Sequence, residues 1–185
     1  MEYRFCPLCS GEVIYQIPDG DQRLRAVCQH CHFVHYQNPN LVVGTVVTWQ
    51  NQYLLCRRAI EPRRGYWTFP AGYLECEEST EAGALREAWE EARVRLEIDS
   101  LLAVYNLSHL SQVQVLYLTR MVDASFDAGE ESLEVRLFDW EDIPWDDLAF
   151  PSAHFALRHA HEMRVNPGLK PDLRSTDLKL DHDLW

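Results

Sequence analysis

The sequence predicts an α+β fold, a mixed β-sheet sandwiched by a few helices and preceded by a small cysteine-rich module. Three observations predict it. Four of the six cysteines fall within residues 1–37, in two Cys-x2-Cys pairs. From Leu41 onward, short β-branched runs separated by turn residues read as strands. Over residues 80–92, Ala82, Leu85, Ala88, Trp89 and Ala92 recur at helical spacing. At 185 residues and 46% hydrophobic, the chain suits one main domain with an appendage and has apolar content enough for a core.

The N-terminal module comes first. Cys6-Pro-Leu-Cys9 and Cys28-Gln-His-Cys31 are knuckles separated by 18 residues. Two thiolates two residues apart reach one ion, and two such turns complete a tetrahedral four-sulfur zinc site. So short a segment has little core of its own, and metal binding would supply much of its folding energy. The alternatives are disulfides, a redox pair or cysteines without a ligand role. With four Cys ligands no position is left for water, so the zinc is expected to be structural. His30, His32 and His35 read as surface residues, and Cys56 and Cys76 as ordinary thiols. The start of the chain runs into Cys6 without an apolar signal region, and no apolar run reaches the ~20 residues of a membrane span. A cytoplasmic protein with reduced thiols is therefore expected.

Asn38-Pro39-Asn40 reads as a linker, dividing a module at 1–37 from a domain at 38–150. Within that domain, 41–48 and 53–57 read as strands around a turn at Gln50-Asn51-Gln52. Residues 59–65 read as a loop, and 67–69 as a short strand. The helix at 80–92 has Ser79 or Thr80 to cap it, with Glu78 and Glu81 at the positive end of its dipole. Strands follow at about 94–108, 112–122 and 133–140. Pro151 opens a second helix through about Met163. The segment 151–185 is thus a C-terminal helix followed by a polar tail.

The formal net charge of −12, from 29 acidic against 17 basic residues, disfavours nucleic-acid and anionic-membrane partners. It also repels a polyanionic small molecule unless cations intervene. On a helical wheel at ~100° per residue, Glu87, Glu90 and Glu91 share one face. Such a face is either solvated or neutralised by a hard divalent cation such as Mg²⁺. Spacing alone does not choose.

The surrounding residues do. Gly72-x5-Glu78-x7-Arg86-Glu87-Ala88-x-Glu90-Glu91-x-Arg93-Val94 resembles the box of the Nudix hydrolases, Gly-x5-Glu-x7-Arg-Glu-U-x-Glu-Glu-x-Gly-U with U aliphatic. Only the second glycine departs, replaced by Arg93, where a left-handed helix end would cost about 1 kcal/mol. The resemblance covers roughly residues 40–150. It implies a Nudix fold and hydrolysis of a nucleoside diphosphate linked to a further group X. It implies that Glu87, Glu90 and Glu91, with the Gly72 carbonyl, hold catalytic Mg²⁺ or Mn²⁺, and that Glu78 pairs with Arg86. The proton acceptor is Glu90 or an acid on a later segment, where Glu130, Glu131 and Glu134 stand. Of these, Glu134 alternates with apolar residues on an expected strand and is the favoured candidate. Arg57, Arg58, Arg63 and Arg64 precede the box; Arg57 and Arg63 are taken as phosphate-binding candidates and Trp67 as a stacking residue.

A four-Cys ribbon ahead of such a domain is found in few branches. The NAD(H) pyrophosphatases and NAD-decapping enzymes carry the marker Ser-Gln-Pro-Trp-Pro-Phe-Pro-x-Ser after the box, and this chain lacks it. At Val104–Val113, Glu131–Phe138 and Ile143-Pro144-Trp145 it is similar to bacterial relatives of the plant chloroplast FAD and ADP-ribose pyrophosphatase. That resemblance implies FAD or ADP-ribose as substrate and makes Ser108, His109 and Gln112 binding candidates. NAD(H) or NAD-capped RNA remains the alternative substrate. A non-catalytic ligand sensor with an interaction ribbon is the alternative of another class. Members of the family often dimerise, and the ribbon or the C-terminal helix could supply a homodimer contact.

Overall fold

The computed structural model describes residues 3–175, so most of the expected polar tail lies outside the described residues. The chain divides into two compact units between Asn38 and Pro39. In the first, β1 (Val13–Gln16), β2 (Arg25–Cys28) and β3 (Val34–His35) form an antiparallel sheet with β2 central. Its buried apolar residues are Cys6, Ala26, Val27 and Cys28, a core too small to hold a fold unaided.

The second unit is built on one mixed sheet. Its strands are β4 (Asn40–Trp49), β5 (Gln52–Arg58), β6 (Trp67–Thr68), β7 (Ala71–Tyr73), β8 (Leu96–Leu107), β9 (Gln112–Met121), β10 (Ser132–Phe138) and β11 (Asp172–Ser175). The order is β10-β5-β4-β9-β8-β11, with β6 beside β5 and β7 beside β4. β4 runs parallel to β9, and β11 parallel to β8. Two helices cover the sheet, α1 (Thr80–Ala92) and α2 (Pro151–Val165).

Strand alternation divides the core between them. Val47 and Leu54 pack with Ala88 and Ala92 of α1. One residue out of phase, Val46, Tyr53 and Leu55 pack with Ala153, Ala156, Leu157 and Ala160 of α2. β4 changes partner midway: Val42–Gly44 pair with β7, and Val47–Trp49 pair with β5. That split admits side chains of α1 into the sheet end.

Ser79 caps α1, its hydroxyl accepting from the Ala82 N–H at 3.1 Å. Arg93 ends the helix at φ 49°, in the left-handed region expected from the missing glycine. Pro151 occupies the first turn of α2. β11 corrects the expectation of a tail beginning directly after α2. Asp172-Leu173-Arg174-Ser175 has too little apolar alternation to be read as a strand, and it forms because the β8 edge offers unpaired backbone groups. Among the described residues no helix is long and apolar enough to cross a membrane.

Candidate active site

One face of α1 carries three carboxylates at very different depths. Glu91 is 6% exposed and Glu87 9%, whereas the Glu90 side chain is 53% exposed. Arg86 is the hub between them. Its Nε and Nη2 donate to both oxygens of Glu78, at 3.1 and 2.7 Å. Nη1 reaches Glu87 at 2.7 Å and Glu90 at 3.0 Å, and Nη2 also donates to the Tyr73 carbonyl at 3.0 Å. This arginine holds the Glu78 carboxyl down to about 2. Glu78 thereby ties the loop before α1 to its middle, as the box resemblance implies.

Glu91 has no such partner: among the described residues no cation lies within ion-pairing distance of it. Desolvation pushes its carboxyl up to about 8, and the negative Glu87 and Glu131 push the same way. Arg58 and the Ala71 N–H only partly oppose them. Desolvation is also the largest influence raising Glu87. Two buried carboxylates, of which only Glu87 meets an arginine, form an electrostatically deficient set, and its hard oxygen donors suit a divalent cation. Gly72 lies directly against Glu87, where a Cβ would collide with the carboxylate. The first glycine of the motif is therefore a space requirement.

Glu87, Glu90 and Glu91 open into a cavity of about 1170 Å³, also lined by Glu130 and Glu131. The loop bearing those two acids is docked on the end of α1. The Asp127 N–H donates to the Ala92 carbonyl at 2.9 Å and the Gly129 N–H to the Glu91 carbonyl at 3.0 Å. A Cβ on Gly129 would run into the carbonyl of Glu90, so only glycine permits this approach.

Several expected residues lie elsewhere. Glu134 is off the cavity, paired in register with Arg57 on β10 and β5, their side chains 3.9 Å apart and about half exposed. Glu130 and Glu131 are the late acids brought to α1. Arg57 donates to the Gly65 carbonyl at 2.9 Å, and Arg63 sits in the loop over the Tyr66 ring; neither lines the cavity. Arg58 does, its Nε donating to the Pro62 carbonyl at 2.9 Å and its guanidinium stacked 5.2 Å from the Phe150 ring centre. Trp67 is 9% exposed and meets Phe138 edge-on at 5.0 Å, a core contact, while Phe69 faces the cavity. His109 and Gln112 line the wall. Ser108 does not; its carbonyl closes the adjoining turn by accepting from the Ser111 N–H at 3.0 Å. Gln114 and Phe155 also line the cavity, and no motif marks them in the sequence.

In the N-terminal unit the four expected sulfurs come together, all within 4.8 Å of one another. Cys6–Cys31, Cys9–Cys28 and Cys9–Cys31 are 3.7, 3.5 and 3.4 Å apart. A tetrahedral ion with ~2.3 Å bonds to sulfur needs edges of about 3.8 Å, so the donor set fits one. Backbone N–H groups of Leu8, His30 and Cys31 point at the sulfurs of Cys6 and Cys28 at 3.3–3.4 Å. The Cys31 N–H is the foremost of the groups holding the Cys28 thiol down to about 6. Cys56 is buried in β5 and Cys76 is exposed, and neither belongs to this cluster.

Comparison with known proteins matches both units. A family model described as Nudix N-terminal, a zinc ribbon, matches residues 4–37, and one described as NUDIX domain matches residues 38–159. The crystal structure of a NUDIX hydrolase from Nitrosomonas europaea is 47% identical with a TM-score of 0.88, covering 94% of this chain and 99% of that one. An ADP-ribose pyrophosphatase of Methanocaldococcus jannaschii is 28% identical over 119 residues, 62% of this chain and 69% of that protein. The NAD-capped RNA hydrolase NudC of Vibrio parahaemolyticus is 27% identical over 127 residues, 69% of this chain but 45% of that protein.

Proposed function

The chain belongs to the Nudix hydrolase family, with that family's zinc-ribbon module ahead of the hydrolase domain, and from this premise we propose that it cleaves the diphosphate bond of ADP-linked small molecules. The substrates we assign are FAD, giving FMN and AMP, and ADP-ribose, giving AMP and ribose 5-phosphate. One observation carries the reading: the three carboxylates of α1, two of them buried, share a single cavity with Glu130, Glu131 and Arg58.

Glu87, Glu90 and Glu91, with the Gly72 carbonyl, are the residues that would hold Mg²⁺ or Mn²⁺. A bound cation of this kind neutralises phosphate oxygens, stabilises the leaving phosphate and lowers the pKa of water. The chain's own residues do the rest. Arg86 keeps Glu87 and Glu90 in place from behind. Arg86 is engaged by the carboxylates, whereas Arg58 offers its positive charge to a phosphate oxygen. As acceptor of the attacking water's proton we assign Glu131, whose charge acts on Glu87 and Glu91 and whose loop docks on α1 through Gly129. The water oxygen bonds to phosphorus, the bond to the bridging oxygen breaks, and its electron pair leaves with the departing phosphate. In the ribbon, Cys6, Cys9, Cys28 and Cys31 would hold zinc in a purely structural role.

The curated relatives named as NAD-capped RNA hydrolases favour a second reading, cleavage of NAD(H) or an NAD cap. One panel separates the two. The zinc-loaded protein, supplied with Mg²⁺ or Mn²⁺, is expected to release AMP from FAD or ADP-ribose faster than from NADH. Faster cleavage of NADH selects the second reading, and no AMP from any of the three overturns the enzymatic one in favour of a ligand sensor.

A further inference from the structure

The wall of the cavity opposite the acids is built from carboxamides. The parallel register of β4 and β9 sets Asn40 beside Gln112 and Val42 beside Gln114. Even-numbered residues of these strands face α2, because Val46, Leu116 and Leu118 share a core with Ala153, Ala156 and Leu157. Asn40, Val42, Gln112 and Gln114 therefore lie on one face, and all four line the cavity together with Leu107 and Phe155.

Within this group Gln114 is unusual. Its Nε2 donates to Gln112 Oε1 over a long 3.4 Å. Its Oε1 is withdrawn from solvent and, among the described residues, meets no donor. A buried acceptor without a donor is unfavourable, and on a cavity wall a ligand can supply one. Position agrees with chemistry. β7, against which Glu87 rests, and β9, which carries Gln114, flank β4 on opposite sides. Two strand spacings, about 10 Å, separate these strands, and the cavity that both residues line runs from the face that meets α1 to the face that meets α2.

We propose that Gln114, oriented by Gln112, recognises the 6-amino group of the substrate's adenine ring, which donates to Gln114 Oε1 while the ring lies against Val42, Leu107 and Phe155. This rests on the ADP-linked reading above. The discrimination follows from commitment of the amide. With one Nε2 hydrogen engaged by Gln112, the group of Gln114 left without a partner is its Oε1 acceptor. A base with a carbonyl at the same position, as in hypoxanthine, brings oxygen against oxygen. Turning the Gln114 amide over sets its own oxygen against that of Gln112.

The test compares ADP-ribose with its hypoxanthine analogue, and AMP with IMP binding by calorimetry. The native protein is expected to show a KM at least about tenfold lower for the adenine substrate, at similar kcat. Gln114→Leu is expected to raise the KM for ADP-ribose to that of the analogue and to abolish the preference for AMP. Gln112→Leu frees the amide to turn and is expected to relax the preference. Cleavage of both substrates with equal KM overturns this inference and leaves the ADP-linked reading standing. Cleavage of neither, with AMP still bound in preference to IMP and that preference lost in Gln114→Leu, sinks the reading and keeps the inference. If Gln114→Leu fails to fold, base discrimination by the native protein and by Gln112→Leu decides.

Discussion

Glu91 sets stability against function, and Glu91→Gln separates them. The carboxylate is 6% exposed, and burial together with Glu87 and Glu131 pushes it up to about 8 from 4.5. A carboxyl raised in this way leaves folding unaffected below its ordinary range. Its penalty grows as pH rises through that range and is complete only above the folded value. At pH 7.5 the ionised form has crossed about three units, each worth about 1.4 kcal/mol, giving an upper bound of about 4 kcal/mol. Relaxation and water penetration bring the expected gain to about 2 kcal/mol for a glutamine that keeps the Ala71 N–H bond. For a chain of this length that corresponds to a melting point about 4–8 °C higher. The assay is thermal denaturation at pH 7.5 without added Mg²⁺, the zinc left in place, repeated at pH 4.5 where the difference should vanish. Added Mg²⁺ should stabilise the native protein but not the variant, and kcat should fall at least about a hundredfold. A variant less stable than the native protein without Mg²⁺, or one that keeps its turnover, refutes the reasoning.

Three further outcomes are expected. Gly129→Ala forces the acid-bearing loop off the end of α1, because the new Cβ meets the Glu90 carbonyl; stability should drop by about 2 kcal/mol and kcat more than KM should suffer, as denaturation and steady-state kinetics will show. Arg93→Gly relieves a left-handed residue at φ 49° whose side chain makes a 3.4 Å bond to the Trp89 carbonyl and lies 5.8 Å from the Trp89 ring centre; a gain of about 0.5–1 kcal/mol in urea denaturation is expected, and a loss would mean that the Arg93 side chain matters more than its backbone. Stripping zinc with a strong chelator should raise hydrogen exchange across residues 3–37 first, and unchanged exchange there would count against a metal-held ribbon.

Most of the acidic helix was legible in the sequence, because its information is local. The cap at Ser79, the spacing of Glu87, Glu90 and Glu91 and the Glu78–Arg86 pair all lie within one helix and the loop before it. The ribbon was legible for the same reason, since a Cys-x2-Cys turn is a short-range device. The choice between Arg57 and Arg58 was not. Neighbours on a strand point to opposite faces, and Arg58 shares its face with Leu54 and Cys56, which pack on α1. Which face meets α1 depends on the pairing of distant strands. Glu134 was chosen by alternation, but alternation carries it to the face shared with Arg57, while a loop contact at Gly129 brings Glu131 in.

By itself, then, the sequence determined the cysteine knuckles of the ribbon, both helices and the longer strands of the hydrolase domain, and the set of carboxylates on α1, because spacing along one element dictates which side chains share a face. Only the tertiary structure decided what those carboxylates look at. The split of β4 between β5 and β7, the docking of Gly129 and the closure of α2 over the sheet assemble Arg58, Glu131 and Gln114 around one cavity. Those three lie on separate strands and loops, and the distances between them are set by long-range pairing that no local pattern encodes.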